Sequence, residues 1–150
     1  MTDSIFSKII RGEVPAHKIY EDDHIIAILD TAPLSEGHAL VIPKEPAETI
    51  DQLSDEFSAA VGRVLPRVVR ALKKATGADA VNILQNNGSD AGQAVPHVHF
   101  HVIPCFKARG VPVQGKPDKE NGPGLSFEWQ PGTLTKEEAL AMGKHIKRLL

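Results

Sequence analysis

Apolar positions recur at helical spacing in the middle of the chain, between two residues that are typical of helix ends. Ser54 can cap the N-terminus and Gly77 the C-terminus of a helix over the residues between them. Its predicted buried face consists of Phe57, Val61, Val64, Leu65, Val68, Leu72 and Ala75. Pro66 lies inside this segment and removes one backbone hydrogen bond, so we expect a bend there.

Two shorter helices are predicted towards the ends of the sequence. Ser4 can cap the first and Gly12 can end it. Its apolar face consists of Ile5, Phe6, Ile9 and Ile10. Thr135 and Glu138 form the pattern of a capping box at the start of the second. Its apolar stripe consists of Ala139, Met142, Ile146 and Leu149.

Short apolar runs bounded by turn residues predict a sheet. The runs that favour strands are residues 18–30, where two strands flank the polar turn EDDH, 38–43, 80–85 and 97–104. Antiparallel pairing is the simplest arrangement for them. We therefore predict an α+β fold, in which the long helix packs on an antiparallel sheet of about five strands and the two shorter helices flank it.

The length of 150 residues suits one domain with a sizeable core. We predict a single domain over residues 1–150, with its core at 5–104. Residues 107–124 are rich in Gly, Pro and Lys, and we expect a mobile connection there. Residues 134–150 are predicted to form a C-terminal helical extension.

Composition narrows the class of protein. The chain is 41% hydrophobic and 24% charged with a formal net charge of −2, so no broad basic surface predicts binding to nucleic acid. Cys105 is the only cysteine, which rules out an internal disulfide and favours the cytoplasm. The start of the sequence has no apolar run long enough for a signal peptide or a membrane span, so we expect no membrane partner.

Three histidines alternate with apolar residues in the segment HVHFHVIP. In an extended strand, His97, His99 and His101 would project from one face at intervals of about 6.6 Å. Imidazole near neutral pH can act as a nucleophile, a proton carrier or a metal ligand. The spacing alone leaves these roles open, together with a solvated strand face that has no function.

The loop directly before the histidines favours an anion. Residues 86–93, NNGSDAGQ, offer amide side chains and a glycine-bearing backbone that can turn N–H groups towards a phosphate. By itself such a loop could be only a tight connection. Next to three histidines, a phosphate site is the better interpretation.

The pattern of three histidines alternating with hydrophobic residues, followed by two more hydrophobic positions, resembles the signature of the histidine triad (HIT) family. The resemblance extends to IFSKIIRGEVPAHKIYEDDH, EGHALVIPK and QNNGSDAGQ, and so covers residues 5–104. It is closest to the Hint-like branch. It implies a HIT-like fold, a homodimer, and hydrolysis of purine nucleoside phosphoramidates and related nucleotidyl conjugates.

The resemblance also implies a covalent mechanism that needs no cofactor. His99 would attack the α-phosphorus to form a nucleotidyl-histidine, and water would then release the nucleoside monophosphate. Dividing the displacement into two steps lets an amine leave before water attacks. His101 would donate to phosphate oxygens, and His97 with His38 would form a supporting relay.

Further binding residues follow from the same resemblance. Asn86 and the backbone around Gln93 and Ala94 would bind the phosphate, and Asp30 would accept from the ribose hydroxyls. The base pocket would consist of Ile5, Phe6, Ile10, Val14 and Ile28. Judged from the residues alone, turn chemistry before Pro33 explains Asp30 equally well, and an ordinary core explains the apolar set.

The sequence departs from the family pattern at several positions. Ser4 and Ser7 occupy the places of a zinc-binding CxxC in many members, and Lys44-Glu45-Pro46 replaces KKH. The three histidines on one strand would need other donors to hold a metal, so we expect no metal site. Ala94 stands in place of a serine, and Ile28-Leu29 in place of Phe-His, which leaves leaving-group and base preference open.

Three other functions remain open. Gln85, near the loop, keeps dinucleoside polyphosphate hydrolysis as an alternative, as in the fragile-histidine branch. A nucleotide-binding regulatory or scaffolding protein is an alternative of another class, because intact site residues do not identify the biological substrate. Metal storage or sensing is a minor alternative.

Overall fold

A computed structural model describes residues 3–106 and 131–150, together with the backbone of residues 116–117 and 125–126. Most of the expected mobile connection at 107–124 lies outside the described residues. The helices and strands, in chain order, are α1 (Ile5–Ile10), β1 (Lys18–Glu21), β2 (Ile25–Leu29), β3 (Ala39–Pro43), α2 (Asp55–Thr76), β4 (Ala80–Leu84), β5 (Phe100–Cys105), β6 (Lys116–Pro117), β7 (Leu125–Ser126) and α3 (Lys136–Leu149). Short 3-10 turns cover Ile50–Gln52 and Ser89–Ala91.

The main sheet has five strands in the order β1-β2-β3-β5-β4, and every neighbouring pair is antiparallel. Strands β6 and β7 pair separately with each other. The predicted α+β fold is confirmed. One boundary differs: β5 begins at Phe100, so His97 and His99 lie in the segment before the strand. The Val98 N–H donates to the carbonyl of Ala47, which lies outside the sheet, so the predicted strand does not pair with β3 before Phe100.

Helix α2 begins and ends where its capping residues predict. The Ser54 hydroxyl accepts from the N–H of Phe57 at 3.4 Å. Gly77 ends the helix with φ of 74°, a left-handed conformation that glycine adopts without a steric penalty. The helix continues through Pro66, which is exposed, so the lost backbone bond lies on the solvent side.

The sheet separates two apolar clusters, because side chains alternate between its faces. The side covered by α2, called here the α2 face, buries Ile25, Ala27, Leu29, Ala39, Val41, Val98 and Val102 with the inner side of α2. The side covered by α1, called here the α1 face, buries Phe6, Ile9, Ile26, Ile28, Leu40 and Ile42. Consecutive residues of β2 and β3 therefore enter different cores.

Helix α3 packs against α2 and β1 through Ala139, Gly143 and Ile146, which are buried. Its predicted capping box is present: the Thr135 hydroxyl accepts from the N–H of Glu138, and the Glu138 carboxylate accepts from the N–H of Thr135. Within the described residues, none of the helices combines the length and the apolar character needed to cross a membrane.

Candidate active site

The α1 face of the sheet carries the polar side chains that the sequence singled out. Asp30 directly follows β2 and His38 directly precedes β3, each in step with the residues that face α1. The Asp30 N–H donates to the His38 carbonyl at 2.9 Å, which holds these two positions side by side. In the neighbouring pair of strands, His101 lies opposite Leu40. Strand alternation and register thus bring Asp30, His38 and His101 together.

His99 is held in one orientation and one tautomer. Its side chain is buried, and its Nδ1 lies 2.7 Å from the backbone oxygen of His97. A carbonyl oxygen only accepts, so Nδ1 carries the ring proton and Nε2 keeps its lone pair. The Phe6 ring packs edge-on against the imidazole, with 4.9 Å between the ring centroids. Burial lowers the pKa of His99, so the ring is neutral near pH 7.

His38 and His101 form a directed hydrogen-bonded pair. The backbone N–H of Leu34 donates to His38 Nδ1 at 3.0 Å, so the proton of the neutral His38 ring is on Nε2. His38 Nε2 lies 2.9 Å from His101 Nδ1 and therefore donates to it. His101 must then carry its own proton on Nε2. A backbone amide in a turn thus determines which nitrogen of His101 can donate to a ligand.

Both rings of this pair are neutral over the physiological range. Burial lowers the pKa of His38 to about 4, and the Asp30 carboxylate only partly opposes this. Burial, together with the neighbouring His38 and His99, lowers the pKa of His101 to about 3. Asp30 Oδ2 lies 3.6 Å from His38 Nε2, and its Oδ1 accepts from the Ala32 N–H. Asp30 therefore forms the turn considered as an alternative and also faces the histidine pair.

His97 has a different environment from the other histidines. It is buried, and its Nε2 donates to the carbonyl of Pro43 at 2.8 Å. Its Nδ1 is buried, and no described residue forms a hydrogen bond with it. The relay expected of His97 with His38 does not run through a direct hydrogen bond between their rings among the described contacts, because His38 Nε2 bonds to His101 and His97 Nε2 to Pro43. The reason is register: His97 lies beside the end of β3, whereas His38 precedes its start, five residues or about 16 Å of strand away.

The polar loop before the histidines is closed by its own side chains. Gly88 and Gly92 adopt positive φ angles of 88° and 84°. Gln93 Oε1 accepts from the Gly88 N–H, and Gln93 Nε2 donates to the carbonyls of Glu48 and Val95. Asn86 Nδ2 lies 3.4 Å from the Gly92 oxygen, at the long end of hydrogen bonding.

The expected base-pocket residues occupy three environments. Phe6 and Ile28 are buried in the α1 face, and Ile10 and Val14 are half-buried against it. Ile5 is 44% exposed, because it lies one position from Phe6 on the helix and so points about 100° away from it. The sequence pattern did not separate these groups.

Two sets of residues bear on metal binding. Ser4 and Ser7 form the helix cap, since the Ser4 hydroxyl accepts from the Ser7 N–H. Ligand atoms of Asp30, His38 and His101 lie within 4.8 Å of one another. A metal there would need a lone pair on His38 Nε2, but the Leu34 N–H already requires the proton on that nitrogen. The tautomer of His38 therefore favours proton donation over metal ligation.

Several groups of the site are backbone atoms that sequence motifs do not reveal. The Leu34 N–H and the carbonyls of Pro43 and His97 each determine a histidine tautomer. The Glu48 carbonyl holds Gln93. Every residue has a backbone carbonyl, and every residue except proline also has an N–H. Only the folded chain therefore shows which of these groups orient the histidines and Gln93.

This arrangement of three histidines beside a glycine-bearing loop, on an antiparallel sheet, is that of a histidine triad domain. The family model described as "HIT domain" matches residues 11–108, about two thirds of the chain, and the chain belongs to this family.

Named relatives support the Hint-like resemblance. The chain is 49% identical over 102 residues to a protein of Arabidopsis thaliana named adenylylsulfatase HINT3, an alignment that covers 68% of this chain and 52% of that protein. It therefore spans about half the length of that relative. It is 44% identical over 142 residues to adenosine 5'-monophosphoramidase hnt1 of Schizosaccharomyces pombe, covering 95% and 94% of the two chains.

A solved structure agrees with the fold. The crystal structure of a Hit-like protein from Bartonella henselae, described as involved in cell-cycle regulation, has a TM-score of 0.81 at 29% identity. The match covers 100% of this chain and 99% of that one.

Proposed function

We propose that this protein hydrolyses purine nucleoside phosphoramidates and related nucleotidyl conjugates, with His99 as the nucleophile. The observation that supports this most directly is the hydrogen bond from His99 Nδ1 to the His97 carbonyl, which leaves Nε2 unprotonated in a neutral ring. A nucleophilic imidazole needs this tautomer. The names of the two relatives, an adenosine monophosphoramidase and an adenylylsulfatase, agree with nucleotide hydrolysis.

The reaction would proceed in two displacements at the α-phosphorus. First, the Nε2 lone pair of His99 forms a bond to phosphorus while the bond from phosphorus to the leaving nitrogen breaks, and that nitrogen takes up a proton from solvent and departs as the amine; the water of the second step returns a proton to solvent. Water then attacks the phosphorus, the bond to Nε2 breaks, and the nucleoside monophosphate leaves. In sum, phosphoramidate and water give monophosphate and amine. His101, which carries its proton on Nε2, would donate to the phosphate oxygens.

Binding of the nucleotide would use both sides of the site. Ala94 is exposed, and its N–H makes no hydrogen bond to another described residue, so it can donate to a phosphate. The Asp30 carboxylate would accept from the ribose hydroxyls. The half-buried Ile10 and Val14 would contact the base. No cofactor is needed for these steps.

We also propose that the protein forms a homodimer. Strand β4 is at the edge of the sheet and pairs only with β5 among the described residues. Its Ile83 is 49% exposed. An edge strand with an exposed apolar side chain favours pairing with another chain. Location in the cytoplasm stays a prediction from the sequence.

The test is a search for the covalent intermediate. Purified protein is mixed with an adenosine phosphoramidate, quenched within the first turnover with denaturant at alkaline pH, where the P–N bond of a nucleotidyl-histidine is stable, digested without acidification, and analysed by mass spectrometry for a nucleotidyl group on His99. We expect the adduct in the wild type and neither adduct nor turnover with His99→Gln. Turnover without an adduct would disprove the covalent mechanism.

Two other outcomes would favour the alternative functions. Binding of adenosine monophosphate with no turnover of any conjugate would favour a binding module. Faster turnover of a dinucleoside polyphosphate would favour that substrate class.

A further inference from the structure

The side chain of Gln93 is committed to the protein's own backbone. Its Oε1 accepts from the Gly88 N–H at 2.6 Å, and its Nε2 donates to the Glu48 carbonyl at 2.7 Å and the Val95 carbonyl at 3.0 Å. Because a backbone N–H only donates and a carbonyl only accepts, these partners leave no ambiguity in the orientation of the amide. Both amide protons and one oxygen lone pair are therefore in use.

These contacts connect Gln93 to the nucleophile. The Val95 carbonyl, which accepts from Gln93, also accepts from the N–H of His97 at 2.8 Å. The His97 carbonyl in turn accepts from His99 Nδ1. Gln93 is thus connected to the hydrogen bond that determines the His99 tautomer. The connection runs through the Val95 carbonyl and then through the backbone N–H and carbonyl of His97.

The outer end of the loop is fastened to the same neighbouring segment. Asn87 Oδ1 accepts from the N–H of Ile50, two residues beyond the Glu48 carbonyl that holds Gln93. The Val98 N–H donates to Ala47 in that segment as well. Residues 47–50 therefore hold the loop at two points and the histidine segment at a third. Of the two loop contacts, that of Gln93 is the nearer to the histidines along the chain.

We propose that Gln93 is a positioning residue: its amide holds the loop and the Val95–His97 peptides in the one arrangement that orients His99, and it does not itself bind the phosphate. The family resemblance implies a phosphate contact from the backbone around Gln93 and Ala94, and the Gln93 N–H already donates to the Gly88 carbonyl. We therefore assign the anion contact to Ala94, whose N–H follows directly in the chain. The expected loss of kcat rests on the proposed function, whereas the expected change in the His99 tautomer does not.

The experiment uses the ligand-free protein with ¹⁵N-labelled histidine. Imidazole ¹⁵N chemical shifts report which ring nitrogen carries the proton, so wild-type His99 should show the Nδ1–H form. In Gln93→Met and Gln93→Glu we expect a mixture of both tautomers at His99. With a phosphoramidate substrate, kcat should fall roughly ten- to a hundredfold, while KM changes by less than about threefold.

Gln52→Met is the matched control. Gln52 is exposed, and its amide oxygen accepts from the N–H of Glu48, so it touches the same segment but not the loop. Gln52→Met should match the wild type in the ¹⁵N shifts of His99 and in kcat and KM. If Gln93→Met fails to fold, Gln93→Glu decides the matter, because it keeps the acceptor for Gly88 and loses only the two donors.

The outcomes separate this inference from the proposed function. If His99 keeps its Nδ1–H signal in the folded Gln93 variants, the positioning role is wrong, and weaker binding of adenosine monophosphate would then identify Gln93 as a phosphate ligand. If the wild type hydrolyses no nucleotidyl conjugate, the proposed function is wrong, but the tautomer measurement still decides the role of Gln93.

Discussion

The two faces of the sheet use residues of the same strands but bury them in different ways. On the α2 face, a 22-residue helix covers a surface of aliphatic side chains. On the α1 face, a six-residue helix covers an apolar cluster together with His38, His97 and His99, all of which are buried. Aliphatic packing is not directional, whereas a buried imidazole requires a partner at a defined angle.

Because of this difference in packing, we expect the α2 face to contribute mainly to stability and the α1 face mainly to catalysis. The α2 face stabilises the fold through area removed from water, which does not depend on the direction of any single contact. On the α1 face, the Leu34 N–H and the carbonyls of Pro43 and His97 hold the rings and choose their tautomers. A substitution on the first face should therefore change the free energy of unfolding, and one on the second should change catalysis.

The strongest test of this division is a truncation in the α2 face. Leu72 is fully buried there, so Leu72→Ala should lower the free energy of unfolding by about 2–5 kcal/mol. Urea denaturation measures this, and kcat should stay within about twofold of the wild type below the transition. Leu140→Ala, at a residue 50% exposed on α3, should cost less than about 1 kcal/mol. A large loss of kcat in folded Leu72→Ala protein would show that the two faces are coupled.

A second prediction concerns pH. The pKa of His38 is about 6.5 in the unfolded chain and about 4 in the folded one, so between these values only the unfolded chain binds the proton. Stability is therefore complete above about pH 6.5 and falls as pH drops towards 4, by up to about 3 kcal/mol. Urea denaturation between pH 7.5 and 4.5 measures this slope.

Urea denaturation over the same pH range, applied to one variant on each face of the sheet, compares the two faces directly. His38→Asn should make the pH dependence less steep by the share that His38 contributes, while His97, His99 and His101, whose pKa values burial also lowers, keep the rest. Leu72→Ala should shift the whole curve without changing its slope. Equal slopes in the wild type and His38→Asn would refute the assignment of the acid sensitivity to His38.

The smallest expected effect is at His97. The amide nitrogen of Gln can reach about as far as imidazole Nε2, whereas that of Asn reaches only as far as Nδ1. His97→Gln can therefore keep the hydrogen bond to the Pro43 carbonyl, and His97→Asn cannot. We expect kcat/KM to fall roughly tenfold with Asn and less with Gln. An equal loss in both variants would argue for a role of the imidazole itself in proton transfer.

The sequence by itself determined the helices and the main strands, and it predicted which residues form the site. Ser54, Gly77, Thr135 and Glu138 mark helix ends where the structure has them, because capping depends on residues within one turn. Alternation within each strand places Ile26 with Ile28 on one face of β2 and Leu40 with Ile42 on one face of β3, and the register between the strands brings the two pairs together. The histidine motif identified the family, since its spacing is local.

Only the tertiary structure decided the partners within the site. The register of β3 against β5 paired His38 with His101 and left His97 beside Pro43, and no local pattern contains that register. The tautomers of the histidines depend on backbone groups of Leu34, Pro43 and His97. For Gln93, the sequence placed an amide in the polar loop before the histidines, but the fold brought the Glu48 carbonyl within 2.7 Å of it. Residues distant along the chain supply these directional contacts, so their identity becomes defined only when the sheet has formed.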